Sequence, residues 1–198
     1  MRTSRRMLGV LILLLPLATL SARAQVWHAL TYQPAQPLSN TEDFTEGFTW
    51  RGAGYDLKKF LQPSLAVGLS LGWHVFDEQT DEVISAFGVD VSGDQFRYVN
   101  SWPILINATY FLGTPGRTRP FVTGHLGMYV MEHRIDVGLY SIRDTKVHFG
   151  LAPEAGVAFP VGGNLAAVLS GRYNYAFSAN DIPEQSYVTV GIGLAWSK

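Results

Sequence analysis

Hydrophobic and polar positions alternate strictly along residues 64–76, SLAVGLSLGWHVF. The odd positions are Leu65, Val67, Leu69, Leu71, Trp73 and Val75. The even positions, which begin at Ser64 and include His74, are mostly small or polar. A period of two indicates a β-strand with one bulky apolar face and one small or polar face.

The same pattern divides the chain into eight predicted strands. They are Val26–Gln33, Thr45–Leu57, Leu65–Phe76, Tyr98–Leu112, Pro120–Ile135, Lys146–Phe159, Leu165–Phe177 and Tyr187–Trp196. The last six alternate cleanly, whereas the first two also rest on the need for an even strand count. The predicted connectors are alternately short (58–64, 113–119, 160–164) and long (34–44, 77–97, 136–145, 178–186). Short turns on one side and longer loops on the other are typical of an outer-membrane barrel.

Alternation alone also fits a soluble antiparallel barrel or sandwich whose apolar row forms the core. The second row argues against that alternative, because it is mostly Gly, Ala and Ser. Across residues 65–76, 98–112, 120–131, 147–159, 165–177 and 187–196, only Glu154 and Arg172 carry a fixed charge. We therefore expect the small row to line a narrow lumen and the bulky row to face lipid, where a closed barrel leaves no backbone edge unpaired.

Aromatic residues gather near both ends of the strands, as membrane interfaces favour. The band near the short turns comprises Tyr110, Phe111, Phe121, Phe159 and Trp196. The band near the long loops comprises Trp73, Phe76, Trp102, Tyr175 and Phe177.

Residues 1–24 have the pattern of an export signal. Arg2, Arg5 and Arg6 precede the apolar run Met7–Leu20, and Ala22-Arg23-Ala24 is a small-x-small cleavage site. We expect a mature domain of residues 25–198, with 11 basic and 16 acidic residues, a balance that gives no hint of nucleic-acid binding. The absence of cysteine excludes a disulfide scaffold.

The export signal, the eight strands and three phrases together resemble a known group. The phrases are SWPILINATYFLG, RPFVTGHLGMYV and YVTVGIGLAW. They are similar to small bacterial outer-membrane β-barrels of the OmpA-transmembrane-domain, OmpX and OmpW kind. The resemblance implies an all-β, eight-stranded antiparallel up-and-down barrel in the cell outer membrane, and it implies no particular ligand.

The last strand also resembles the signal by which such proteins are recognised by the outer-membrane assembly machinery. Thr189, Gly191, Leu194 and Trp196 match its polar, glycine and hydrophobic positions. Such proteins usually end on the aromatic residue, whereas Ser197 and Lys198 follow Trp196 here.

Glu154 and Arg172 are candidates for a lumen charge cluster. If the turn at 160–164 is symmetric about residue 162, Glu154 lies opposite Ser170 and diagonal to Arg172. We expect Arg51 to join them from the second strand. The cluster either plugs the lumen, because unpaired buried charges are costly, or acts as a gate that opens a pore.

His133 and His148 are both on the inward row and would face each other if their loop is centred near residues 140–141. Paired imidazoles could bind a transition metal, or they could be rim side chains near the external mouth. Because no third ligand can be placed, we expect no metal site and no cofactor.

A lipid A-modifying enzyme would need a serine with a histidine base within hydrogen-bond reach. Ser178, Asn180 and Glu184 form the nearest phrase, but no histidine accompanies it, and His74, His125 and His148 fall on the inward row. We therefore expect no catalytic residues.

The sequence predicts a structural or surface-interaction protein with a plugged lumen. Its partners would be outer-membrane lipid and lipopolysaccharide, with a candidate surface partner at loop 77–97. The apolar piece Val83–Val91 of that loop either extends a hairpin for a partner or folds over the barrel mouth. The alternative is a small channel for hydrophobic or small polar solutes.

Overall fold

The computed structural model describes residues 25–45, 47–80, 84–86, 89–91, 95–137, 140–179 and 182–198. The predicted signal peptide, residues 1–24, lies outside these ranges. No helix within the described ranges is long and apolar enough to cross a membrane.

The described chain is almost entirely strand, with one short helix. The elements are β1 (Val26–Tyr32), β2 (Ala35–Leu38), α1 (Asn40–Phe44), β3 (Gly52–Gln62), β4 (Leu65–Thr80), β5 (Ile84–Ala86), β6 (Val89–Val91), β7 (Gln95–Phe111), β8 (Arg119–Val137), β9 (Tyr140–Gly162), β10 (Leu165–Ala176) and β11 (Gln185–Ser197).

Eight of these strands form one closed antiparallel ring. The order is β1-β3-β4-β7-β8-β9-β10-β11, and β11 pairs back onto β1 with Trp27 opposite Ser197 and Tyr32 opposite Ile192. β2 follows β1 and pairs with residues 186–189 of β11, near the end of the barrel that carries the long connectors. β5 and β6 form a separate two-stranded pair. The predicted eight-stranded up-and-down fold is confirmed.

The apolar row faces outward around the ring, as the alternation predicts. On β4 and β7, Leu69, Leu71, Ile104 and Ile106 are exposed, with Ile106 at 60%. The outward rows of β8 to β11 continue this belt with Val122, Leu126, Met128, Val147, Phe149, Leu169, Val190, Ile192 and Leu194. A contiguous exposed belt of this kind is stable in lipid and not in water. The alternative of a soluble barrel with its apolar row inside is therefore wrong.

The second strand begins and ends later than predicted. It was expected over Thr45–Leu57, but β3 runs from Gly52 to Gln62 and meets β4 after the two-residue turn 63–64. Lys58 and Lys59 resemble turn residues in the sequence, yet Lys58 is 2% exposed and points into the lumen. Its ammonium lies over the rings of Trp27 and Phe121, 5.2 and 5.6 Å from their centroids.

Two predicted long connectors are largely strand. β8 and β9 continue to Val137 and Tyr140 through the segment expected to be a loop at 136–145, and β4 and β7 continue to Thr80 and Gln95. The apolar alternation stops where the strands leave the lipid, but antiparallel backbone pairing does not need it. The hairpins therefore extend beyond the belt at the long-loop end.

Three aromatic residues assigned to the outer bands point inward instead. Phe76, Phe111 and Phe121 are each at most 3% exposed. They lie on the inward rows of β4, β7 and β8, where they fill the lumen.

Candidate functional site: the barrel lumen

A buried ion pair lies in the middle of the lumen. The Arg172 guanidinium donates from Nη2 and Nε to Glu154 Oε2, at 3.0 and 3.3 Å. The two residues stand directly opposite each other on β10 and β9 rather than diagonally. The predicted register is wrong by two residues, because the turn is centred on residues 163–164 rather than on residue 162. The register shift between Leu165 and Ala166 takes back one residue of that difference.

Three further ionisable residues surround this pair. Asp56 Oδ2 lies 3.7 Å from Arg172 Nη2, and His125 Nε2 lies 3.4 Å from Glu154 Oε2. Lys58, one inward position along β3 from Asp56, is buried against the aromatic rings described above. We call Asp56, Lys58, His125, Glu154 and Arg172 the central charge cluster.

Hydrogen bonds hold the remaining acceptor of Asp56 in place. Ser70 donates to Asp56 Oδ1, and Asn107 Nδ2 donates to Ser70 Oγ at 2.9 Å. The cluster contains two carboxylates and two cations, so its fixed charges balance. Charges can be buried in a low-dielectric interior when they are paired in this way.

Sequence reasoning missed Lys58 because it placed the end of the second strand at Leu57, and it missed Asp56 because the glycine-rich second strand did not show which of its faces points inward. A signal was present: Gly52, Gly54, Asp56 and Lys58 are consecutive residues of one strand face, and all four are buried in the ring.

Arg51 does not join the cluster, so that expectation is wrong. It immediately precedes Gly52 on the opposite face, where 58% of its side chain is exposed. Its Nη1 lies 3.4 Å from Asp77 Oδ1, and this ion pair is on the outer surface.

At the short-turn end, aromatic side chains close the lumen. Phe111 contacts the rings of Trp27, Phe60 and Phe121, with centroid separations of 5.3, 5.3 and 5.5 Å. The Arg119 guanidinium lies 4.8 Å over the Phe111 ring. We call this group the aromatic plug.

A mixed layer fills the lumen toward the long-loop end. Tyr187 packs against His74, Phe76 and Tyr129, with ring centroids 5.1, 5.3 and 6.5 Å away. His74 Nε2 is 3.1 Å from Gln33 Oε1, and Tyr129 donates to Asn174 Oδ1 at 3.2 Å. This upper layer is as deeply buried as the other two.

His133 and His148 do not face each other, so the expected register is wrong here as well. His133 is opposite Asp144 and His148 is opposite Tyr129, because the hairpin is centred on residues 138–139 rather than 140–141. His148 is completely buried, with Nδ1 2.8 Å from the Phe177 carbonyl oxygen. Among the described residues, no group of three His, Cys, Asp or Glu side chains is arranged to hold a metal ion.

The residues of the predicted assembly signal take both faces of β11. Thr189 is buried in the lumen, and a Cβ on Gly191 would lie 2.7 Å from Ser170 Oγ. Leu194 and Trp196 face outward, and the Trp196 ring stacks on His28 at 5.4 Å. Their recognition by the assembly machinery stays a prediction.

The side chains of loop residues 78–97 lie outside the described part of the chain, so the surface-partner prediction is untested. Within the loop, the described backbone pairs Ile84 with Val91 and Ala86 with Val89. Asn180, considered for an enzyme site, also lies outside the described residues.

No protein-family model matches the sequence, and no curated protein sequence matches it. Solved structures, in contrast, match almost the whole chain. A major outer membrane protein from Thermus thermophilus is 15% identical, with a TM-score of 0.56 over 89% of this chain and 100% of that chain. OprG from Pseudomonas aeruginosa is 13% identical, with a TM-score of 0.55 over 88% and 96%.

A third match is Ail, the attachment invasion locus protein of Yersinia pestis, in complex with the heparin analogue sucrose octasulfate. It is 12% identical, with a TM-score of 0.50 over 87% of this chain and 99% of that chain. The closed ring, the exposed apolar belt and these matches agree: the chain has the fold of the small eight-stranded β-barrels of bacterial outer membranes, and that membrane is where it lies.

Proposed function

We propose that the protein is a closed-lumen outer-membrane barrel with a structural or surface-interaction role. The observation that supports this proposal is the filling of the lumen by three stacked layers: the aromatic plug, the central charge cluster and the upper layer. Small barrels of eight strands have interiors that side chains can fill completely. A water-filled path would have to displace all three layers at once.

The external end supports a role in contacts with cations or basic partners. Asp77, Glu132, Asp144 and Glu184 lie on or beyond the long-loop ends of their strands. Asp77 and Asp144 already lie beside a basic partner, 3.4 Å from Arg51 and from Lys146 respectively. Glu132 and Glu184 would bind divalent cations that bridge lipopolysaccharide phosphates, or a basic surface.

We also propose that the outer-membrane assembly machinery recognises β11 and that the mature domain starts at Gln25. The alternative function is a small channel for hydrophobic or small polar solutes, and one measurement separates the two.

The test is conductance of the purified protein in planar lipid bilayers, beside a porin reconstituted under the same conditions. We expect the wild-type protein to give no steady unitary steps while the porin conducts. Steady steps from the wild type, altered by Arg172→Ala but not by the matched Arg51→Ala, would overturn the closed lumen and establish the channel.

A further inference from the structure

The periplasmic end of the barrel is positively charged. Lys59, Arg117, Arg119 and Lys198 lie at the periplasmic end, where the short turns are. Apart from Asp56 and Glu154 inside the lumen, the acidic side chains in the described ranges belong to the external half. An anion that approaches from the periplasm therefore meets a positive end with no competing surface carboxylate among these side chains.

This end contains a pocket of about 170 Å³ below the aromatic plug. Its apolar wall is made of Trp27, Phe60 and Phe111, and its rim is made of the turns at 112–118 and 163–164. Arg117, Arg119 and Asn164 contribute its polar lining. The volume is enough for several water molecules or one small solute group.

Arg119 is the distinctive group in this pocket. It is 9% exposed, and its Nη2 donates to the Pro63 carbonyl oxygen at 2.6 Å. The Phe111 ring supports one face of the guanidinium. The Nε–H is buried and has no hydrogen-bond acceptor among the described residues.

A buried donor without an acceptor is costly, and a guanidinium whose orientation is fixed by stacking is well suited to carboxylate or phosphate oxygens. Arg117, exposed on the adjoining turn, supplies a second positive charge. Gly116 of the same turn also lines the pocket, and both Gly113 and Gly116 have positive φ angles, 83° and 81°, which glycine adopts without strain.

We propose that the periplasmic mouth of the barrel is a binding site for a small oxyanion, a carboxylate or phosphate group, which is held by Arg119 with Arg117 against the aromatic plug. The group comes either from a phospholipid headgroup of the inner leaflet or from a soluble periplasmic molecule. This site is independent of whether the lumen conducts.

The experiment uses ¹⁵N-labelled folded protein in zwitterionic detergent micelles, with sodium chloride as the ionic-strength reference. Inorganic phosphate and benzoate are titrated in turn, and the Arg119 Nε–H and Gly116 amide signals are followed by NMR. We expect saturable shifts of both signals. Arg119→Gln should weaken the binding that the Gly116 amide reports by about tenfold or more, which is the size of one charge-assisted hydrogen bond.

Lys59→Gln is the matched control, because it removes one exposed positive charge from the same end but not from the pocket. If binding depends on the pocket and not on the general positive potential of this end, Lys59→Gln should change the affinity for phosphate by less than about twofold. Arg119→Lys keeps the charge but loses the planar fork, and it replaces Arg119→Gln if the latter does not fold.

A second arm distinguishes the two sources of the anion. Nanodiscs of phosphatidylcholine alone are compared with nanodiscs that contain phosphatidylglycerol, without added phosphate. A shift of the Arg119 Nε–H signal between phosphatidylcholine and phosphatidylglycerol nanodiscs assigns the site to an anionic lipid headgroup. Equal signals in the two nanodiscs, together with the saturable shift on free phosphate or benzoate, assign it to a soluble ligand. No saturable shift in either arm, or equal weakening by Lys59→Gln and Arg119→Gln, would overturn the proposal.

Discussion

At the scale of single residues, two arginines that the sequence places in one cluster have opposite surroundings. Arg172 has 3% of its side chain exposed and lies within ion-pair distance of two carboxylates, whereas Arg51 is on the outer surface beside one. The difference follows from strand parity, because adjacent residues of a strand point to opposite faces and Arg51 is adjacent to the inward Gly52.

Replacing Arg172 by Met should strongly destabilise the barrel. The change leaves the Glu154 and Asp56 carboxylates buried without their cation, which typically costs about 3–5 kcal/mol. Arg51→Met removes the same side chain from an exposed pair and should cost less than about 1 kcal/mol. Urea unfolding in lipid vesicles, followed by tryptophan fluorescence, measures both. If both variants lost a similar free energy of unfolding, that result would contradict a stabilising role of the central charge cluster.

At the scale of elements, the ring is closed by the seam between β1 and β11. Gly193 lies opposite Thr31 in this seam and opposite Val168 on the other side. A Cβ at Gly193 would collide with the Leu30 carbonyl oxygen on β1, whereas a Cβ at Gly171 would meet no atom within 4 Å.

Gly193→Ala should therefore weaken closure of the ring, by about 1–3 kcal/mol as for other overpacked sites. Gly171→Ala adds the same methyl group in open space on β10 and should change stability by less than about 0.5 kcal/mol. The midpoint of thermal unfolding, read as the loss of the fast-migrating folded band on gels, compares the two variants with the wild type. Equal midpoints for all three proteins would contradict the tight seam.

The sequence predicts the strands whose outward side chains contact lipid. It does not predict the features that lipid contact leaves undetermined. β4 and β7 to β11 alternate because each second side chain must face lipid, so their positions follow from residues such as Leu65, Val122 and Ile192. On the inner face of β3, Gly52, Gly54, Asp56 and Lys58 precede Phe60, a pattern that resembles an ambiguous strand followed by a turn. The predicted pairing partners of Glu154 and His148 are wrong for another reason. They depend on where the connection between two strands is centred, and periodicity carries no information about that position.

At the scale of the whole molecule, closure of the ring makes the barrel one cooperative unit. Every strand of the ring has two neighbours, so no edge is left from which the sheet could peel. Loss of the fold therefore requires breaking the ring.

A closed ring of this kind should resist SDS until it is heated. Unboiled protein extracted from outer membranes should migrate at a different apparent mass from boiled protein, because the folded barrel is more compact and binds less detergent. Cold SDS gels of fractionated cells test this, with a soluble periplasmic protein as the control that shows no shift. Equal migration together with recovery in the soluble periplasmic fraction would contradict both the closure and the membrane location.

The β8–β9 hairpin is the longest in the ring, and its length has a practical consequence. The outward apolar row of β8 ends at Val130, and the strand continues seven residues further to Val137. At about 3.3 Å per residue and a tilt of about 40°, this extension rises about 18 Å above the belt. A foreign epitope inserted between Val137 and Tyr140 would stand clear of the lipid headgroups, so an antibody could bind it on intact cells while the ring below stays unchanged.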